Sequence, residues 1–108
     1  MMRALGLMSG TSVDGVDVAL IETDGERVAA FGPNLTVPYA DDVRRSIRAA
    51  FGAELPTDAA RTAERLVTEA HAAAVRRWSA EHGIALSTID LVGFHGQTIT
   101  HRPEKRWP

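Results

Sequence analysis

Apolar residues crowd positions 3–8 and 15–23 on either side of a polar turn, and helical spacing begins at residue 41. The first segment carries Leu5, Leu7 and Met8, and the second Val16, Val18, Leu20 and Ile21, so both read as strands. Asp24-Gly25-Glu26 is a hairpin turn signal, and residues 27–37 read as a third strand, Val28 to Val37. That strand is broken near Gly32-Pro33-Asn34, because a proline cannot donate to a ladder and marks an edge or a bulge. Three consecutive strands on short turns make an antiparallel meander.

Pro38 ends the strands. Asp41 is a candidate N-cap for a short helix with Val43, Ile47, Ala50 and Phe51 on one face and Gly52 placed to stop it. Arg44, Arg45 and Arg48 fall off that face and read as solvated charge. Thr57 is a second N-cap candidate. From there to His82 the chain is rich in alanine and free of glycine and proline, with Gly83 as the stop. Ala59, Ala63, Leu66, Val67, Ala70, Ala74 and Trp78 form a wide apolar stripe, and His71 falls beside it as a flanking residue. Ile89 to Phe94 is a nearly continuous apolar run, the pattern of a strand buried on both faces of a parallel sheet. Reaching it through a long helix implies a crossover connection. The chain is therefore expected to be α/β, in the order β-β-β-α-α-β.

Length and composition narrow the class without naming a function. At 108 residues the chain holds one domain at most, and 44% apolar residues suffice for a core. A net charge of -2 points neither to nucleic acid nor to an anionic membrane. No cysteine is present, which removes disulfides and thiolate metal sites. The N-terminal apolar run breaks at Ser9-Gly10-Thr11-Ser12, too early for a signal peptide or a membrane span, so cytoplasmic residence is expected. Arg102 to Pro108 offers no closing element, and the chain is expected to continue beyond it.

Two polar segments each follow a predicted strand. The first runs from Ser9 through Gly10, Thr11, Ser12, Val13, Asp14, Gly15 and Val16 to Asp17. A plain hairpin turn needs one glycine and one Asn or Asp, and an Asx-turn at Asp14 would account for it. The segment holds more: hydroxyls, bare backbone N–H groups and two carboxylates, the inventory of a nest for phosphate with its metal ion. A carboxylate repels phosphate directly, so Asp14 or Asp17 makes sense there only through Mg²⁺. A serine nucleophile is disfavoured, since no Gly-x-Ser-x-Gly elbow is present. The second segment, His95-Gly96-Gln97-Thr98 leading to His101 and Arg102, offers donors and acceptors suited to a sugar or an amide. The alternative for it is a strand end with a satisfied histidine. No third ligand accompanies His95 and His101, which argues against zinc. Arg102 suits a carboxylate or phosphate, and equally a free surface position. Ligands of open α/β sheets collect at the carboxyl ends of strands, so both segments can face one cleft.

Gly6-Leu-Met-Ser-Gly-Thr-Ser-Val-Asp-Gly-Val-Asp17 resembles the N-terminal signature of the anhydro-N-acetylmuramic acid kinases. Gly93-Phe-His-Gly-Gln-Thr-Ile-Thr-His-Arg-Pro103 resembles their second signature at the spacing that family shows. Members of that family are several times longer, so the resemblance implies an N-terminal fragment spanning 1–108, part of the first of two lobes. The implied lobe is ribonuclease H-like, of the actin, hexokinase and Hsp70 ATPase type, and incomplete here. The implied activity is ATP-dependent opening of the 1,6-anhydro ring of anhydro-N-acetylmuramic acid and phosphorylation at O6, which serves peptidoglycan recycling.

By the same resemblance, Gly10, Thr11, Ser12, Val13, Asp14, Gly15, Val16 and Asp17 match the segment that binds the phosphates of ATP. Asp14 and Asp17 are the metal candidates for Mg²⁺, and His95, Gly96, Gln97 and Thr98 would lie near the sugar. The family's catalytic base is an aspartate further along its chain, so no residue here takes that role and the fragment alone is expected to be inactive. A homodimer is implied for the full-length protein. Two other readings compete: a non-catalytic nucleotide-binding or regulatory module of the same actin-like fold, and an unrelated small α/β domain whose polar turns are structural.

Overall fold

The computed structural model describes residues 1–9, 13–52 and 57–97, with the His95 side chain outside that set. The elements are strands β1 (Met2–Ser9), β2 (Gly15–Thr23) and β3 (Val28–Pro38), helices α1 (Asp41–Ala49) and α2 (Asp58–His82), and strand β4 (Leu91–Gln97). A single 3₁₀ turn, Leu86–Thr88, leads into β4. The element order is the expected one, and the strands form one mixed sheet in the order β3-β2-β1-β4.

β1 to β3 make the expected meander. β1 pairs antiparallel with β2 from Met2↔Thr23 to Met8↔Asp17, and β2 pairs antiparallel with β3 from Thr23↔Val28 to Gly15↔Pro38. The interruption at Gly32-Pro33 is a bulge: Ala19 faces Asn34 while Ile21 faces Phe31, so β3 stays one strand. At the β2–β3 turn, the Asp24 carboxylate accepts the N–H groups of Glu26 and Arg27, each at 2.9 Å. Those two bonds hold its carboxyl below the usual value.

Both helices cover one face of the sheet. Leu5, Leu7, Val16, Val18 and Leu20 point into a core closed by Ile47 from α1 and by Val67, Ala74 and Trp78 from α2. The period-2 alternation leaves Gly6, Met8, Asp17 and Ala19 on the opposite face, exposed. Trp78 is fully buried, and its indole N–H donates to the Pro33 carbonyl at 2.9 Å, so the bulge that interrupts the ladder is also an anchor for α2.

The helix boundaries confirm one cap and correct another. The Thr57 hydroxyl accepts the Ala60 N–H at 3.0 Å, and Gly83 ends α2 at φ +63°, a conformation that favours glycine. Asp41 is not the cap of α1. The N-cap is Ala40, with no side-chain bond, and Asp41 and Asp42 sit inside the first turn, where they complement the helix dipole. Phe51, expected on the buried face of α1, lies beyond its end and is 45% exposed.

Three burial expectations also change. Ala59 is exposed, and the buried line on α2 is Ala63, Val67, His71, Ala74 and Trp78. His71 is therefore part of the stripe, four residues from Val67, rather than a flanking residue. Its Nδ1 lies 2.7 Å from the Val67 carbonyl, and its ring meets Phe94 edge-on at 4.7 Å. Its Nε2 is buried with no hydrogen-bond partner among the described residues. The third change is β4, which pairs parallel with β1 as expected but is not buried on both faces. Leu91, Val92 and Phe94 are each more than half exposed. β4 is an outer strand among the described residues, paired with β1 and approached by α2.

Burial lowers the His71 pKa from its ordinary 6.5, with the Val67 carbonyl opposing in part. The unfolded chain thus binds a proton more readily than the fold does. The neutral imidazole's contribution is complete above pH 6.5 and is lost as pH falls below that toward the depressed folded value. In the full-length protein, the urea midpoint is expected to drop between pH 7.5 and pH 5, and His71→Leu, which keeps the bulk without the titration, to flatten that drop.

Candidate functional site

One end of the sheet gathers the polar chemistry. There β1 and β3 end and β2 begins, and because β4 runs parallel to β1, β4 also ends there. The last aligned pair of the parallel ladder is Ser9↔Gln97. It follows a register shift between Leu7 and Ser9 that takes up one extra residue at His95-Gly96. The two polar segments are thereby brought side by side.

A buried hydrogen-bond chain joins them. The alternation that sends Leu5 and Leu7 inward also sends Ser9 inward, and it is 1% exposed. A buried hydroxyl needs partners, and Ser9 has two. It donates to the side-chain oxygen of Gln97 and accepts the phenolic O–H of Tyr39 at 2.8 Å. Tyr39 is 4% exposed, and burial raises its pKa, with the Ser9 bond opposing, so it stays a neutral donor. The Tyr39 backbone N–H donates to the Asp14 carbonyl at 3.0 Å.

The β1–β2 turn is tightly held where it is described. Val13 adopts φ +57°, unusual for a β-branched residue, and its side chain is fully buried in the core. Arg44 reaches across from α1, its Nε donating to the Val13 carbonyl at 3.0 Å. Its Nη2 lies 3.4 Å from the carbonyls of Asp14 and Tyr39. Arg44 is thus not the solvated charge its position on the helical wheel implied. Arg45 and Arg48 are exposed, as expected.

The expected site residues separate into groups. Gly10, Thr11, Ser12 and Thr98 lie outside the described residues, as do His101 and Arg102. Val13 and Val16 place their side chains in the core, so only their backbone can meet a ligand. Asp14 is exposed at the turn, and no hydrogen bond or ion pair engages its carboxylate among the described residues. Asp17 is exposed on the open face, where it accepts the Thr36 hydroxyl at 2.6 Å. It lines a shallow depression of about 560 Å³ with Gly6, Met8, Ala19 and Gly93. Among the described residues no three His, Cys, Asp or Glu groups come together to hold a metal. Gln97 is half-buried and tied to Ser9, while His95 and Gly96 lie in β4 at the bulge.

A family model described as anhydro-N-acetylmuramic acid kinase matches residues 2–108. The chain belongs to that family. It is 52% identical over 112 residues to an anhydro-N-acetylmuramic acid kinase of Rhodopseudomonas palustris strain BisB18, covering 97% of this chain and 31% of the relative. It is 54% identical over 113 residues to proteins of the same name from Nitrobacter winogradskyi and Bradyrhizobium diazoefficiens, covering 98% of this chain and 31% of each relative. The chain therefore spans just under a third of the length of these curated relatives. No helix among its described residues is long and apolar enough to cross a membrane.

Ser9 opens the first polar segment but carried no expected role, Arg44 was expected to be solvated charge, and Tyr39 had no expected part in the site. Strand parity was signal enough for Ser9, because positions 5, 7 and 9 share a face. Nothing local announced Tyr39 or Arg44, whose partners are about 30 residues away. Gly15 also gains a second role. A Cβ there would lie 2.2 Å from the Val37 carbonyl oxygen and 2.8 Å from the Pro38 Cα, both backbone atoms that cannot swing aside. Gly15→Ala is expected to cost about 1–3 kcal/mol by forcing β2 away from β3 at the site end. A thermal melt of the full-length protein carrying this substitution measures it, and an unchanged midpoint would contradict the close approach.

Proposed function

We propose that the full-length protein is an ATP-dependent sugar kinase acting on anhydro-N-acetylmuramic acid in peptidoglycan recycling. The observation that carries this reading is the convergence of the two signature segments at one sheet end, tied through Ser9 and Gln97, in a chain of this family. The reaction adds water across the 1,6-anhydro bridge, opens the C1–O6 bond and moves the γ-phosphoryl group of ATP to O6, releasing ADP. The antiparallel meander followed by a parallel strand across a helical crossover supports a ribonuclease H-like lobe of the actin and hexokinase type. Cytoplasmic residence and a homodimer belong to the same reading.

In this reading, residues 10–17 receive the phosphates of ATP. Their contribution is backbone N–H groups and hydroxyls aimed at oxygens, since phosphoryl transfer is chiefly positioning and charge stabilisation. The turn suits Mg²⁺ through the Asp14 carboxylate, which is exposed and unengaged among the described residues. A hard ion that keeps several waters needs only one or two carboxylates, which Asp14 and Asp17 provide. When bound, Mg²⁺ would neutralise charge on the phosphate oxygens. His95 to Thr98 would orient the sugar, with the Gln97 amide held by Ser9. The base that activates water lies beyond these 108 residues.

Asp14→Asn and Thr11→Ala in the full-length enzyme are expected to lower kcat/KM for ATP by about 100-fold or more, as loss of a charge-stabilising group does. Nucleotide binding and turnover unchanged by both would end the phosphate-segment assignment. The isolated 108-residue polypeptide is expected to turn over no sugar, and any ATP-dependent phosphorylation by it would contradict the placement of the base elsewhere.

A further inference from the structure

Arg44 stands apart from the other arginines of α1. Arg45 and Arg48 face solvent, whereas the Arg44 side chain is 30% exposed and crosses to the β1–β2 turn. Its guanidinium gathers three carbonyls: Val13 at 3.0 Å, and Asp14 and Tyr39 at 3.4 Å each. The remaining nitrogen is 3.6 Å from the Asp41 carboxylate, an exposed contact of little weight. The Tyr39 N–H binds the same Asp14 carbonyl from the strand side at 3.0 Å.

Two physical consequences follow. Val13 needs outside support to keep φ +57°, because a β-branched side chain disfavours that region, and Arg44 holds the very carbonyl that this conformation presents. Carbonyl oxygens also repel phosphate. Drawing those of Val13 and Asp14 onto a cation of α1 fixes the turn with its oxygens committed to protein donors.

We propose that Arg44 is a positioning residue for the nucleotide phosphates. It acts through the Val13–Asp14 backbone, setting the Asp14 carboxylate, without touching the nucleotide. The inference rests on residues 10–17 being the phosphate-binding segment. Lysine is no substitute, because a single ammonium cannot span the carbonyls that the guanidinium fork reaches.

Steady-state kinetics of the full-length enzyme, with ATP and sugar varied separately, test the proposal. Arg44→Met and Arg44→Lys are expected to lower kcat/KM for ATP about 10- to 100-fold through a raised KM for ATP, the scale of a small misplacement of a binding group. The KM for the sugar should move by less than about twofold, since the lost interaction is not on that side. Arg45→Met, the same change of charge one residue on, should leave both constants at the wild-type values. If Arg44→Met fails to fold, Arg44→Lys decides the matter. An unchanged KM for ATP in the folded variant would overturn the proposal. So would equal rises in both KM values with a lowered melting temperature, the mark of a merely structural strut. Wild-type enzyme without ATP-dependent turnover would instead overturn the proposed function, and the assignment of Arg44 to phosphates with it.

Discussion

The parallel pairing of β1 with β4 is the constraint on which the rest of the structure depends. The three-stranded meander forms from neighbours in sequence, but a parallel partner for β1 has to come from a distant segment. Leu5 meets Val92 and Ser9 meets Gln97 only because α1 and α2 carry the chain back across the sheet. Those helices bury the apolar face of the meander on the way, through Ile47, Val67, Ala74 and Trp78. One connection therefore closes the core and brings Ser9 and Gln97, 88 residues apart, to the same end of the sheet.

At that end the chain places hydroxyl and amide groups where an apolar core would otherwise continue. A polar group taken out of water without a partner costs about 1–3 kcal/mol. Tyr39, Ser9 and Gln97 meet this by satisfying one another in series. Such a chain specifies geometry more sharply than apolar contacts do, since one lost member strands its neighbours. Arg44 does comparable work on the backbone side, where the turn would otherwise expose Val13 in a conformation it resists. The buried groups of the site end are thus hydrogen-bonded to one another, while Asp14 and Asp17 stay exposed.

The opposite surface has another character. Gly6, Met8, Asp17, Ala19 and Gly93 lie open there, whereas the half-exposed Val92 and Phe94 of β4 sit on the helix side, beside Leu5 and Leu7. Strands with free edges and apolar faces are templates for further pairing. His71 shows the same strand from the inside: its imidazole is buried against Phe94, with Nε2 unmatched among the described residues.

The amino-acid sequence by itself determined the element order, the interruption at Gly32-Pro33, the Thr57 cap, the Gly83 stop and the family. Each depends on local chemistry: a missing N–H, a hydroxyl within reach of a free N–H, a positive φ, or motifs read contiguously. Burial was legible only as far as helical and strand periodicity reached, which is why Ala59 and His71 were misplaced on α2 and why β4 was expected to be covered on both faces. Tertiary structure alone decided that Ser9 and Gln97 are partners, that Tyr39 completes their chain, that Gly15 admits the backbone of β3, and that Arg44 leaves solvent to hold the turn. The physical reason is common to all four. Each contact joins groups distant in sequence, and neither periodicity nor propensity carries information about which segment the sheet register will set beside another.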